Sequence, residues 1–259
     1  MAFGKILSYA RGMDLETADG KVFKINSSME AIGFKILGIP HIGVRQRSRI
    51  IFSMLKLDKK DVVLDAGCGI GLYSFEVCGK VESVFGVDIE SKKILQAKEI
   101  AKRSKKKINF EVGDLTKLKF NNKFDKVICS DVIEHIQDYR AAIAGISKSM
   151  KNNGLVVFTF PRYSEFNKRT YKQFGHVVPG YKEEEIKKIF EKNNLKIINK
   201  RDYSRAFTRF CFKINNYLLK RRVLAAILFY PLYLLSYLDI FSSKNDSDGI
   251  AILAKKQID

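Results

Sequence analysis

Val63-Leu64-Asp65-Ala66-Gly67-Cys68-Gly69-Ile70-Gly71 is the stretch that decides the fold. An apolar run beginning at Asp61 reads as a buried strand, and it passes directly into glycines at 67, 69 and 71, followed by a helix-like segment to Gly79. Glycine takes left-handed backbone at no steric cost, so this is a tight strand-to-helix turn whose main chain a ligand can approach closely. Free N–H groups at the start of the following helix suit a negative group. Position 72 is Leu, so the dinucleotide fingerprint G-x-G-x-x-G is not met, and the Gly-Lys-Ser/Thr ending of a phosphate loop is absent. The turn therefore predicts a nucleotide-type ligand.

Outward from this turn, strands and helices alternate. Ser83–Asp88, Ile108–Val112, Phe124–Cys129, Gly154–Phe160 and Leu195–Asp202 read as strands, and Ile250–Leu253 as a last one. Helices are predicted from Ser91, as cap, to Arg103, from Tyr139 to Met150 and from Lys182 to Asn193. Such alternation implies right-handed crossovers and a doubly wound, mostly parallel α/β sheet. Asp88 ends the second strand, where its carboxylate can accept both hydroxyls of a ribose. Asp114 follows the third strand, where an adenine amino group can donate to it, and Ser130 closes the fourth. These strand ends bring polar groups to one crevice.

The glycine turn and the acids together resemble the class I S-adenosylmethionine-dependent methyltransferases, in the branch acting on small molecules, quinones and lipids. The resemblance covers Asp61–Pro161 well and the chain to Asp202 more weakly. It implies a Rossmann-like, seven-stranded sheet with an antiparallel last strand, and S-adenosyl-L-methionine as cofactor. It also implies that Asp65, Gly67, Gly69 and Gly71 meet the amino-acid end of the cofactor. Asp88 and Ile89 would meet ribose and adenine, Asp114 and Leu115 adenine, and Ser130 the methionine portion.

Three units are expected: an N-terminal helical cap (1–57), the core (58–205 and 248–259), and a hydrophobic helical insert (206–247). In the insert, Lys220-Arg221-Arg222 precede a sixteen-residue apolar run, Val223–Leu238, interrupted by Pro231. At about 1.5 Å per residue the run falls short of a bilayer core of roughly 30 Å. A closing strand after it places both of its ends on one side, so a monotopic or re-entrant membrane contact is expected, with a homodimer interface or substrate lid as the alternative. Arg45, Arg47 and Arg49 stand beside apolar residues of the cap and suggest the same anionic surface.

Composition agrees. The 259 residues carry 47 Lys+Arg against 28 Asp+Glu, a formal charge of +19, with enough apolar residues to bury a core. Cys68, Cys78, Cys129 and Cys211 form no C-x-x-C pair, which points to a reducing compartment. The first eleven residues make a poor signal peptide. The expected setting is therefore cytoplasmic, at the inner membrane surface, with a lipid-like or quinone acceptor. Nucleic acid is disfavoured because no RNA-binding module is recognisable. A soluble acceptor and a non-catalytic cofactor-binding module are the alternatives. His135 and His176 are the expected acid–base residues, and Arg162, Tyr163 and Tyr171 the expected acceptor-binding ones. Three histidines at such distances in sequence predict no metal.

Overall fold

The computed structural model describes residues 8–16, 22–24, 41–218, 222–242 and 247–258. Two short strands, β1 (Asp14–Glu16) and β2 (Val22–Lys24), pair antiparallel, and helix α1 (Ile42–Leu55) leads into the core. The described part of the N-terminal segment is thus ribbon as well as helix, whereas the sequence predicted helix alone. Strands of three residues are too short to show a periodicity. Gly38–Pro40, where the sequence interrupts the helical pattern of the cap, lies outside the described residues.

The core follows as β3 (Val62–Ala66), α2 (Leu72–Val77), β4 (Ser83–Asp88), α3 (Ser91–Ser104), β5 (Asn109–Val112), β6 (Phe124–Ser130), α4 (Tyr139–Ser149) and β7 (Met150–Pro161). Next come α5 (Glu165–Thr170), α6 (Glu183–Lys192), β8 (Leu195–Tyr203), α7 (Ala206–Leu218), α8 (Arg222–Leu235) and β9 (Gly249–Lys256). The seven-stranded sheet has the order β5-β4-β3-β6-β7-β9-β8, parallel except for β9, which runs against both neighbours. The predicted seven strands with an antiparallel last one are all present. From β3 the chain winds outward to β5 and returns on the other side at β6. The switch point between β3 and β6 is where open α/β sheets place their ligands.

Alternation along the strands builds both faces. Phe124, Val127 and Cys129 of β6 join Ile143, Phe158 and Phe190 in one core layer. Ile128 points the other way, into a layer with Ile51, Met54 and Leu55 of α1. Helix α6 has three glutamates in its first turn and Lys192 in its last, as the macrodipole favours, and buries Ile186, Ile189 and Phe190. Edge strand β8 exposes Lys196, Lys200 and Arg201, charges that discourage edge-to-edge pairing.

Three local expectations change. The cap of α3 is Glu90, with Ser91 as its first helical residue. Strand β7 starts at Met150, earlier than the apolar run suggested. Pro231 lies inside α8 instead of breaking it. Strands β8 and β9 pair Tyr203 with Gly249, so the insert leaves and rejoins the sheet at one edge, as predicted. Among the described residues, no helix is long and apolar enough to cross a membrane.

Candidate active site

The glycine turn has the predicted conformation. Gly67, Gly69 and Gly71 have φ of 75°, 54° and 85°. The turn is held to β4 by the Gly67 and Cys68 amides, which donate to the Val87 carbonyl at 2.8 and 2.9 Å. The glycines differ in what surrounds them. A Cβ at Gly67 would overlap the Val132 side chain, and one at Gly71 would lie 2.5 Å from the Phe110 ring. At Gly69 the nearest atom is Lys93 Cδ at 4.0 Å, so here bare backbone faces open space. Asp88 seats this part of the turn. It accepts from the Gly69 amide at 2.7 Å and the Glu90 amide at 2.9 Å, and its half-buried carboxylate keeps lone pairs for further donors. Ile89 beside it is 68% exposed.

Asp65 and Leu115 are used differently from the expectation. Asp65 is 2% exposed and accepts from the Ser74 amide at 2.9 Å and hydroxyl at 2.6 Å, so it fixes the first turn of α2. Burial raises its pKa to about 7, against the lowering effect of the two Ser74 bonds. Leu115 is buried in the main core. Asp114 accepts from the Thr116 amide and hydroxyl, both at 2.8 Å, and these bonds hold its carboxyl below the usual range.

A polar network closes the crevice on the β6–β7 side. Ser130 Oγ lies 3.1 Å from the Tyr73 hydroxyl and 2.8 Å from the Thr159 hydroxyl. Thr159 donates to Asp131 Oδ1 at 2.9 Å, Tyr203 donates to the same oxygen at 3.2 Å, and Arg47 Nε meets Oδ2 at 2.8 Å. Asp131 has φ of 52°, a left-handed conformation that costs a non-glycine residue about 1–2 kcal/mol. Burial and the Asp131 carboxylate push the Tyr203 hydroxyl well above its ordinary pKa. Sequence reasoning missed Tyr73, Asp131, Thr159 and Tyr203, and assigned Arg47 to an outer anionic surface instead. Only the positions of Asp131 and Tyr203 at strand ends could have indicated them.

A family model described as a methyltransferase domain matches residues 57–202, more than half of the chain. The chain belongs to the methyltransferase-domain family. It is 39% identical to a ubiquinone biosynthesis O-methyltransferase of Pelagibacter ubique over 94 residues, 36% of this chain and 39% of that protein. It is 35% identical to phosphoethanolamine N-methyltransferase 3 of Arabidopsis thaliana over 124 residues, 47% of this chain and 25% of that one. The matches thus span less than half the length of these relatives. In fold, the domain resembles Haemonchus contortus phosphoethanolamine N-methyltransferase 2, whose structure holds phosphomonomethylethanolamine and S-adenosylhomocysteine. The TM-score is 0.59 at 19% identity, over 83% of this chain and 53% of that one. The YcgJ protein of Bacillus subtilis gives 0.61 at 17% identity, over 83% and 100%.

In this methyltransferase domain His135 and His176 come together, which their distance in sequence did not suggest. Their rings lie 4.8 Å apart, edge to face, and His135 Nδ1 is 3.0 Å from the Gly175 carbonyl. Burial and the neighbouring His135 lower the His176 pKa to about 4, while Asp131 acts in the opposite sense. Glu134, 1% exposed, completes a group whose ligand atoms lie within 4.8 Å of one another, so the premise for expecting no metal does not hold. Burial raises the Glu134 carboxyl well above its ordinary range, and a cation here would have to displace its proton. His41 caps α1, its Nδ1 accepting from the Val44 amide at 3.2 Å.

The expected acceptor-binding residues divide. Arg162 is engaged by Asp202, and by Glu183 at 2.9 Å, so it ties β7 to β8 and α6. Tyr163 is 39% exposed, with the Lys182 ammonium 5.4 Å from its ring centroid, and Tyr171 is half-buried beside Lys172. In the basic cluster of α1, Arg45 and Arg47 face inward, contrary to the expected headgroup role, while Arg49 is exposed. Arg45 lies over Phe229, Tyr230 and Tyr233 at 4.7–5.7 Å, Arg49 lies over Tyr237 at 4.4 Å, and Arg47 pairs with Asp131.

Proposed function

We propose that the chain transfers a methyl group from S-adenosyl-L-methionine to an oxygen of a hydrophobic, quinone-type acceptor, working from the cytoplasmic side of a membrane surface. The observation that carries this reading is the open backbone at Gly69, bonded to Asp88 and neighboured by the strand end at Asp114. Carboxylates suit a ribose and an adenine amino group, and no phosphate needs a lysine. The similarity to a ubiquinone biosynthesis O-methyltransferase supports the quinone-type acceptor.

The cofactor supplies an electrophilic methyl on a sulfonium, so the protein's part is alignment, exclusion of water and, for a hydroxyl acceptor, removal of one proton. His176, paired edge to face with His135, is neutral above about pH 4 and is the candidate to accept that proton, although burial makes it a weak base. Membrane contact is supported by the insert. Phe210, Tyr217, Leu234 and Phe241 are 55–76% exposed, and a cleft of about 330 Å³ between α7 and α8 is lined by Ala206, Phe207, Phe210 and Leu235.

The test combines cofactor binding with methyl-labelled cofactor and a membrane extract from the source cell. The expected result is a labelled extractable lipid, together with loss of cofactor binding in Asp88→Ala. Label confined to water-soluble species or RNA would replace the acceptor class, and absence of cofactor binding would remove the activity.

A further inference from the structure

The insert reaches the crevice through α1. The C-terminal half of this helix, with Ile51, Met54 and Leu55, packs on the sheet. The N-terminal half is held from the other side. Ile42 is buried with Cys211, Phe229 and Tyr233, and Gln46 Nε2 donates to Thr208 Oγ1 at 2.6 Å. Arg45, 7% exposed, lies over the α8 rings. Arg47 projects from this half to Asp131, on which Thr159 and Tyr203 also converge and to which Ser130 is linked through Thr159.

We propose that Phe229 and Tyr233 are positioning residues of the cofactor crevice, acting through Arg45 on the Arg47–Asp131 pair. A desolvated cation over aromatic faces prefers one geometry, and two rings on one rigid helix fix where the guanidinium lies. Arg47 is two residues along the same helix, so the place of its Nε relative to Asp131 depends on that clasp. The insert is then a wall of the active site, in addition to any surface it offers outside. This inference rests on the assignment of the β3–β6 edge to the cofactor.

The test is a double-mutant cycle read by calorimetric binding of S-adenosylhomocysteine. Arg45→Met, close in volume and free of a buried charge, should fold and weaken binding about tenfold. Arg47→Met should weaken it at least as much. The double variant should bind no more weakly than Arg47→Met within about twofold, because residue 45 acts through residue 47. Arg45→Lys keeps a cation over the rings and should recover most of the loss, whereas a simple packing role would make Lys as damaging as Met. Independent, additive losses, or unchanged binding in Arg45→Met, would overturn the proposal. Tyr233→Leu gives a second route to the same cycle from the insert's side. The underlying site assignment fails by a separate result, absence of wild-type binding or equal binding by Asp88→Ala.

Discussion

Asp65 shows how a residue can be correctly located and still have a different task. It stands at the end of β3 beside the glycine turn, but its carboxyl is buried and serves Ser74. In the folded chain it keeps its proton to about pH 7, and in the unfolded chain it loses it near about pH 4. The folded state therefore binds more protons between these values. The stability this group contributes is full below about pH 4 and is lost as pH rises through about 7. Glu134, raised by burial too, adds a drift of the same sign. Asp65→Asn stays neutral and can still accept from Ser74. Its unfolding midpoint should fall by several degrees less than that of the wild type between pH 5 and pH 8. Equal falls in thermal scans would show that Asp65 ionises without cost. The sequence showed that a carboxylate ends β3 but not which side of the turn it faces. The histidines teach the same lesson, because only the fold of the 171–176 loop brings His176 to His135.

At the scale of elements, what was legible followed from periodicity. The apolar runs of β3, β4 and β6 and the stripe of α6 are locally encoded, so strand order apart, the core could be read directly. What escaped depends on contacts between distant segments. The start of α7 is an example. Its first amides are capped from the far end of the insert, Asp239 accepting from the Arg205 amide at 3.0 Å and the Thr208 amide at 3.1 Å. Both bonds cross more than thirty residues, so no local cap motif announces them. Loss of a capping carboxylate costs about 1–2 kcal/mol, and here it also releases the return of the insert to the helix it left from. Asp239→Ala should therefore accelerate hydrogen exchange at residues 205–208 well beyond its effect on β3 and β6, while Asp239→Asn, which keeps an acceptor, should do so far less. Uniform acceleration across the sheet would show that the insert and core unfold as one unit.

For the whole molecule, the consequence concerns the +19 charge and the meaning of the insert. Beside an apolar segment, Arg45, Arg47 and Arg49 suggested an anionic surface, but rings cover two of them and Asp131 pairs with the third. Arg45 and Arg47 are thus unavailable to headgroups, while Arg49 stays exposed beside Tyr237. The exposed apolar side chains remain, with Leu234 66% and Phe241 76% exposed. Burying one such side chain is worth about 1.5–3 kcal/mol, which is more than tenfold in partitioning. A surface contact carried by these groups is not screened by salt, whereas one carried by cations weakens steeply as the Debye length shrinks to about 3 Å at 1 M. Vesicle flotation should therefore show binding to neutral phosphatidylcholine that survives high salt, and Leu234→Asp or Phe241→Asp should reduce it about tenfold or more. Binding that needs anionic lipid and collapses in salt would return the role to the lysines and arginines. Absence of vesicle binding, with a dimer in sedimentation that Leu234→Asp dissociates, would make the same exposed side chains a contact between two copies of the chain.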